Sequence, residues 1–420
     1  YLEKTLGTTS NQKRNTHDVF LVYCQIQSQL RDDLSTTTHN ICNKLKTLGF
    51  KKQNLEDMFD SLIITILIAF FSSLLIGLLT IKISKRLLKP ARNDIKAVQS
   101  AHTVQVPRIG SLLIIFSLFL GAIFQSSEMP EANFLLKLLL SVSPVALIGL
   151  SEDLGFHMRP RVRILAAALS GAVFIIVFGE WLPRADFPGL NLAVQWAPFA
   201  MLFSIFLTVS ISHAFNLIDG LNGLAAITAI SSAIALATIS NSVELYAHRD
   251  VLILLVAAIS GFLLLNFPFA RIFLGDAGSY SIGHMLSWIS ISILWNTEAV
   301  TPWAILLIFF WPVADTILAM VRRFSKGKAI FQPDRLHFHQ LMMRGVEIML
   351  LGRNRRMVAN PLATVLMLPL IISPMCAGVL FAADSHNAAL AVLAFTVLFI
   401  VAYLMGLTIA NKMRNRRFLK

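Results

Sequence analysis

Two adjacent acids, Glu152 and Asp153, end a long apolar run and are followed by Arg159, Arg161 and Arg163. Neighbouring carboxylates at the end of a membrane helix are costly unless an arginine pairs with them or a cation binds them. The residue types leave two interpretations open. The acids either form ion pairs with the nearby arginines or belong to a site that binds Mg²⁺ or phosphate.

A second group of chemically capable residues fills the turn HAFNLIDGLNGL, which lies between two apolar segments. Asn216 and Asp219 are three residues apart and therefore share one face of a helical turn. Gly220 and Gly223 allow a ligand to come close to the backbone. A plain capping turn would explain one Asn or Asp, whereas this concentration predicts a ligand site.

A third acid, Asp276, stands between glycines in GDAGS, shortly after Asn266. Mg²⁺ prefers one or two carboxylates together with substrate phosphate oxygens, so Asp276 suits a metal ligand. The alternative is a helix N-cap formed by Asp276 or Ser279.

His337 and His339 follow Arg335 in the stretch PDRLHFHQ. No cysteine or third histidine stands beside them at the spacing of a zinc site, so zinc is disfavoured. Together with Arg335 they suit a cationic, hydrogen-bonding clamp for phosphate.

Two further candidates lie in different surroundings. Asp315 is an acid inside an apolar segment, near one of its ends, and such residues are site candidates by default. His102 lies in a basic stretch, residues 82–108, for which the simpler interpretation is a solvated loop that binds anionic lipid headgroups.

The elements that position these residues are membrane helices. The chain is 56% hydrophobic and 14% charged, whereas a soluble domain has about 45–50% apolar and about 25% charged residues. These values exclude an ordinary soluble domain and predict an all-α polytopic membrane protein. Eleven segments are apolar enough to cross about 30 Å of hydrocarbon: 61–81, 109–125, 133–150, 163–179, 194–212, 223–240, 250–268, 280–295, 302–321, 361–382 and 388–410.

Basic residues are distributed unevenly between the connections. The connections between consecutive apolar segments fall into two alternating sets, one for each side of the membrane. One set, together with the C-terminal tail, carries 25 Lys and Arg residues, and the other set carries only Arg184 and Arg249. This bias predicts an external N-terminus and a cytoplasmic C-terminus. It also explains the net charge of +13 by topology rather than by nucleic-acid binding. All the candidate residues then fall on the cytoplasmic side.

Residues 1–57 are polar and lack a sustained period, and Met58 opens the first apolar segment. We therefore expect a membrane domain at 58–420. Residues 1–57 are expected to be an extension that is either an upstream-translation artefact or poorly ordered. The three cysteines form no CxxC pair, which excludes a disulfide framework as an organising principle.

Acids, amides and glycine turns beside Arg and His on one membrane face predict a Mg²⁺–diphosphate site. Such a site would serve a reaction between a water-soluble phosphate donor and a lipid acceptor. The alternative from another class is a multipass transporter or lipid flippase. Transporters place polar groups at the bilayer midplane, often in repeated halves, and no internal repeat is visible here.

The motifs NLIDGLNGL, NFPFARIFLGDAGS and PDRLHFHQLMMRG, with GLSEDLG, resemble those of the polyprenyl-phosphate N-acetylhexosamine-1-phosphate transferases. The resemblance covers about 58–420 and is closest to the bacterial branch that initiates O-antigen, enterobacterial common antigen or teichoic-acid linkage units. It implies transfer of a sugar 1-phosphate from a UDP-sugar, such as UDP-N-acetylglucosamine, to undecaprenyl phosphate, with release of UMP. It also implies Mg²⁺ (or Mn²⁺), the bacterial inner membrane, a cytoplasmic active site and, as one arrangement, a homodimer.

The resemblance assigns roles position by position. Asp276 would ligate Mg²⁺, and Glu152 and Asp153 would engage the lipid phosphate or the metal. A polyprenyl phosphate is mostly dianionic at pH 7, because its second pKa is about 6, so Asp153 is expected to be an orienting group or a modest base. Asn216 and Asp219 would hold the nucleotide, and Arg335, His337 and His339 would bind the diphosphate or sugar of the donor. Asn266 and His102 are also implied to bind substrate.

Three positions depart from the family's pattern: Glu152 replaces the first Asp of an acidic pair, Gln99-Ser100 replaces an Arg-Lys pair, and Gln340 replaces a final histidine. Within the same family, the alternative is the phospho-muramoyl-pentapeptide transferase of peptidoglycan synthesis. That branch usually carries three consecutive histidines and ten spans.

Overall fold

A computed structural model describes residues 52–87, 106–124, 130–325, 327, 336–351 and 355–417. The chain divides into two compact units, residues 1–65 and 66–420. Of the first unit the structure describes only the start of one helix, which begins at Lys52. The expectations for residues 1–51, together with His102 and Arg335, therefore lie outside the described residues.

The described elements are all helical. In chain order they are α1 (Lys52–Leu87), α2 (Gly110–Phe124), α3 (Pro130–Asp153), α4 (Pro160–Phe178), α5 (Leu190–Val194), α6 (Ala197–Ile218), α7 (Leu224–Ser242), α8 (Tyr246–Asn266), α9 (Gly275–Asn296), α10 (Pro302–Ile308), α11 (Phe310–Phe324), α12 (Phe338–Val346), a π-helical turn (Glu347–Leu351), α13 (Arg356–Leu380) and α14 (Ser385–Arg417).

Each of the eleven predicted segments coincides with one helix or with a pair of helices. In the part of the chain that the structure describes, eight helices are long and apolar enough to cross a membrane. The predicted segment 302–321 is a pair, α10 and α11, bent by 78°, which makes nine if the pair counts as one span. The structure thus confirms a helical, multi-pass membrane protein, and the count of eleven stays a prediction.

Helix α9 is the centre of the second unit. Every residue from Gly275 to Leu294 is buried, and α2, α3, α4, α6 and α7 pack around it. Small residues let these helices approach closely. A Cβ added to Gly149 of α3 would lie 2.5 Å from the Cα of Ala277, and one added to Gly283 would lie 2.6 Å from the Cα of Ser212 in α6. Because α9 is enclosed by protein, it tolerates the serines that lower its hydropathy.

The C-terminal end of α9 is held by Arg184, one of the two basic residues of the sparsely charged connections. Its guanidinium donates to the carbonyl oxygens of Leu294 and Thr297, at 3.2 Å each, and to that of Val300. A cation at the C-terminus satisfies free carbonyls and complements the helix dipole. One end of the central helix is thereby fixed, and the candidate residues gather at the other.

Candidate active site

Asp153, the last residue of α3, caps the N-terminus of α9. Its Oδ1 accepts the backbone N–H of Asp276 at 2.9 Å, and its Oδ2 accepts that of Ala277 at 3.0 Å. These are two of the donors that the first turn of a helix leaves without an intrahelical partner. The alternative that Asp276 or Ser279 forms the N-cap is therefore wrong. The cap position is Leu274, and a carboxylate from another helix supplies the acceptor.

Gly275 makes this arrangement sterically possible. Its φ of +79° lies in the left-handed region, and a Cβ there would collide with the Asp153 carboxylate and the carbonyl oxygen of Arg108. A side chain at this position would push α9 away from α3.

Asp276 is held in place by two donors from different helices. Arg163 Nη1 of α4 lies 2.8 Å from Oδ2, and Asn216 Nδ2 of α6 lies 3.1 Å from Oδ1. Asn216 Nδ2 also donates to the Ser279 hydroxyl at 3.0 Å. Arg163 compensates the charge of this buried carboxylate, and each oxygen keeps a lone pair for a further ligand.

The arginines that follow Glu152 do not pair with it among the described contacts. Glu152 Oε2 accepts the backbone N–H of Met158 at 2.6 Å, while Arg163 turns to Asp276. The predicted ion pair between Glu152 and a following arginine is therefore wrong. Arg163 pairs with Asp276 of α9 instead.

Asp219 differs from the other acids because no described residue forms a hydrogen bond or an ion pair with its carboxylate. Burial raises its pKa to about 7, Arg108 opposes this shift, and the negative charge of Asp276 adds to it. A carboxylate without a protein partner, within electrostatic range of a second carboxylate, has the electrostatics that favour binding of a cation.

The turn that carries Asp219 is fixed to the loop before α9 by amides. Asn266 Oδ1 accepts the Gly223 N–H at 2.7 Å, and its Nδ2 donates to the Ile272 carbonyl at 2.8 Å. Both ends of the Asn266 amide thus bind backbone, so the structure gives it a role in positioning the two loops. Its predicted contact with substrate stays a prediction.

Asn360 of α13 is a contributor that the sequence pattern does not reveal. Its Oδ1 accepts the backbone N–H of Asn222 at 2.7 Å, and Thr364 donates to the carbonyl of the same residue at 2.8 Å. The contact joins residues 138 positions apart. No motif surrounds Asn360, and its only signal is an amide in the first turn of an apolar helix.

The two predicted histidines meet the intramembrane acid. Asp315 Oδ2 of α11 lies 3.2 Å from His337 Nδ1 and 3.5 Å from His339 Nδ1. Gly220 adjoins this cluster, since a Cβ there would lie 2.6 Å from His339 Nε2. The structure therefore brings the histidine pair to the Asp219 turn.

These residues fit one kind of metal site. In the described part of the chain, no group of three or more His, Cys, Asp or Glu residues could enclose a metal ion. Two carboxylates, Asp219 and Asp276, are what a Mg²⁺ ion requires when substrate phosphates and water provide its other ligands. The donor set fits such an open site and does not fit a closed structural one.

A family model described as glycosyl transferase family 4 matches residues 135–294, from α3 to α9. A probable undecaprenyl-phosphate N-acetylglucosaminyl 1-phosphate transferase of Bacillus subtilis is 28% identical over 288 residues, 68% of this chain and 79% of the relative. An undecaprenyl-phosphate alpha-N-acetylglucosaminyl 1-phosphate transferase of Yersinia pestis is 26% identical over 253 residues, 58% and 67% of the two chains.

A phospho-N-acetylmuramoyl-pentapeptide-transferase of Streptococcus thermophilus is 33% identical over 256 residues, 55% of this chain and 72% of the relative. The matched family segment contains the acids and amides that converge at the N-terminus of α9. The chain therefore belongs to glycosyl transferase family 4 and, within it, to the polyprenyl-phosphate hexosamine-1-phosphate transferases that its motifs resemble.

Proposed function

We propose that this protein transfers N-acetylhexosamine 1-phosphate from a UDP-sugar to undecaprenyl phosphate and so starts a lipid-linked surface polysaccharide. An oxygen of the lipid phosphate attacks the phosphorus that carries the sugar, and the bond from that phosphorus to the bridging oxygen breaks. UMP leaves with that oxygen, and the product is undecaprenyl-diphosphate-sugar. The observation that carries the proposal is that Asp219, with no hydrogen-bond or ion-pair partner among the described residues, lies within electrostatic range of Asp276 at the start of α9.

Mg²⁺ is the cofactor that we propose for the reaction, with Asp276 and Asp219 as its protein ligands. When bound, a divalent cation would neutralise diphosphate charge and align the two anionic substrates. Arg163 and Asn216 contribute by fixing the Asp276 carboxylate, so that it is oriented before any substrate arrives.

Asp153 is proposed as the orienting residue. Each of its oxygens already accepts a backbone N–H, which suits a group that sets the position of α9. A strong base is not required, because the acceptor phosphate is mostly dianionic at pH 7. Glu152, half-buried and adjacent, is the acid of the pair that we propose to face the lipid phosphate.

The orientation of the site follows from charge. The connections beside the candidate residues carry most of the Lys and Arg residues, and such connections stay in the cytoplasm. We propose an inner-membrane enzyme whose active site opens to the cytoplasm, where it meets a soluble nucleotide sugar. The Arg335 and His102 roles stay predictions.

The second candidate is phospho-N-acetylmuramoyl-pentapeptide transfer, which the 33% identical relative favours. Against it stands the sequence His-Phe-His-Gln at 337–340, where the resemblance implies three consecutive histidines for that branch. The chemistry is the same in both cases, so only the donor distinguishes them.

The test uses membranes that contain the protein and matched membranes that lack it. Undecaprenyl phosphate is added to both. Labelled UDP-N-acetylglucosamine, UDP-N-acetylgalactosamine or UDP-N-acetylmuramoyl-pentapeptide is added, with and without EDTA. We expect a lipid-linked product from an N-acetylhexosamine donor, lost with EDTA and restored by Mg²⁺. Product from the pentapeptide donor alone would favour the second candidate. The absence of product from all donors would refute the transferase proposal, and product insensitive to EDTA would refute the metal role.

A further inference from the structure

Asp315 serves two imidazoles with one carboxylate. Its Oδ2 faces Nδ1 of His337 at 3.2 Å and Nδ1 of His339 at 3.5 Å, and its Oδ1 accepts the Phe338 backbone N–H at 3.0 Å. The two rings are nearly parallel, with centroids 5.6 Å apart and planes 20° apart. One acid thus faces the Nδ1 atoms of both rings, with a hydrogen bond to His337 and an ion-pair contact with His339.

The burial of this cluster leaves three ring nitrogens without a hydrogen-bond partner. The side chains of Asp315 and both histidines are at most 2% exposed. In the described structure, these nitrogens are Nε2 of His337 and both Nδ1 and Nε2 of His339, whose Nδ1 has only the ion-pair contact with Asp315. Buried polar groups normally have one, and an exception calls for a ligand or another explanation.

The Nε2 atom of His339 lies beside Gly220. A Cβ at Gly220 would lie 2.6 Å from it, so this nitrogen faces the turn that carries Asp219. The ring of Phe338, between the two histidines in sequence, packs against Trp311 at 4.8 Å and Phe399 at 5.6 Å. The segment that carries the histidines is therefore anchored by aromatic packing, and His339 presents its Nε2 to the candidate active site.

We propose that Asp315 is a positioning residue that is hydrogen-bonded to Nδ1 of His337, faces Nδ1 of His339 across 3.5 Å, and so orients both imidazoles toward the UDP-sugar. The inference rests on the proposed function. The family resemblance implies that the histidines bind the donor, and the new element is Asp315, which is 1% exposed and sets that recognition through the two rings.

The chemistry of a fixed imidazole supports the choice of occupant. A neutral ring whose Nδ1–H faces a carboxylate presents a lone pair at Nε2, which accepts an O–H or N–H group. Burial lowers the pKa of His339, against the opposing effect of Asp315, which favours the neutral ring. A UDP-sugar offers hydroxyl, acetamido and uracil donors, whereas a dianionic lipid phosphate offers none.

The first test replaces Asp315 with Asn. The Asn Nδ2 group is a donor, so the side chain no longer selects the Nδ1–H tautomer of His337 and no longer offers a charge to His339. We expect KM for the UDP-sugar to rise at least tenfold, KM for undecaprenyl phosphate to stay within twofold, and UDP-sugar binding without acceptor to weaken in parallel. The matched control is Asp250→Asn, a buried carboxylate that pairs with Arg249 at 2.7 Å, which should change neither KM.

The second test separates positioning from a general loss of folding. In a His337→Gln/His339→Gln background, adding Asp315→Asn should cause little further loss, because residues that act as a unit are not additive. Asp315→Glu keeps a carboxylate and should recover part of the UDP-sugar affinity, with thermal melting in detergent as the check on folding. An unchanged KM for the UDP-sugar, or a full multiplicative loss in the histidine background, would overturn the inference. Wild-type protein that neither binds nor transfers a UDP-sugar would instead overturn the proposed function.

Discussion

The three acids of the site differ in what holds them. Two backbone N–H groups hold Asp153, Arg163 and Asn216 hold Asp276, and no described residue forms a hydrogen bond or ion pair with Asp219. Different surroundings give carboxylates different roles. The first two are oriented by the protein in advance, and Asp219 is the acid whose stabilisation depends on what binds there.

Asp219→Asn should therefore lower activity and raise stability. A folded-state pKa of about 7 lies above the unfolded value of about 3.9, so the folded chain binds more protons between those pH values. Its stability falls as pH rises from about 4 to about 7 and stays low above that. The Asn variant avoids this loss. We expect its melting temperature in detergent to exceed that of wild type more at pH 8 than at pH 5, in metal-free buffer.

The control for this prediction is Asp384→Asn, at an exposed acid. Hydrogen bonds from Asn387 lower the pKa of Asp384, so ionisation of this acid stabilises the folded state instead of destabilising it. The Asp384→Asn variant should therefore gain no melting temperature at pH 8. Equal melting curves for Asp219→Asn and wild type at both pH values would contradict the view that this carboxylate is costly to ionise.

Helix α9 joins the site to the opposite face as a rigid element. Asp153 satisfies its first N–H groups, and Arg184 satisfies carbonyl groups at its far end. The position of Asp276 thus depends on the docking of a whole helix against α3. A small displacement at this contact would move the acid away from Asp219.

Gly275→Ala tests this dependence. An alanine Cβ would collide with the Asp153 carboxylate and with the Arg108 carbonyl, and the left-handed φ adds strain of order 1 kcal/mol or more. We expect lower thermal stability and a loss of turnover of at least about tenfold. Gly406→Ala, where a Cβ meets nothing within 4 Å, is the matched control and should be neutral or slightly stabilising. Similar effects of both substitutions would show that the contact with Asp153 does not position α9.

The hydropathy of the sequence does not predict the bend between α10 and α11. Residues 302–321 form a continuous apolar run, which predicts one span, yet the helices meet at 78°. Pro312 lies in the first turn of α11, next to the break. It has no N–H for the Ile308 carbonyl, so the hydrogen-bond ladder is interrupted there. Proline alone does not impose such a break, because α13 continues through Pro369 and Pro374. The direction of the new helix depends on packing, which a one-dimensional pattern does not contain.

At the scale of the whole chain, the sequence predicts those site residues that stand in short motifs. Asn216, Asp219 and Asp276 stand in short motifs, and the structure brings them together as the motifs imply. The sequence indicates Arg163 as a candidate, because it follows two acids. It does not indicate that Arg163 pairs with Asp276, since 113 residues separate the two. Asn360 carried no signal. Contacts between distant helices depend on the packing of the bundle, which local composition does not determine.

The length of α9 and the distribution of basic residues together predict the membrane topology. Helix α9 has 22 residues and is therefore about 33 Å long. It is not one of the eight helices that are apolar enough to cross a membrane by composition, but it is enclosed by other helices, and its length matches about 30 Å of hydrocarbon. Residues beyond its two ends should lie on opposite sides of the membrane. In a variant without Cys24, Cys42 and Cys376, a cysteine at Glu298 should react with a membrane-impermeant maleimide on intact spheroplasts. One at His157, exposed between α3 and α4, should react only after permeabilisation. The reverse pattern would place the acidic site outside, away from cytoplasmic nucleotide sugars, and would refute the orientation drawn from the basic residues.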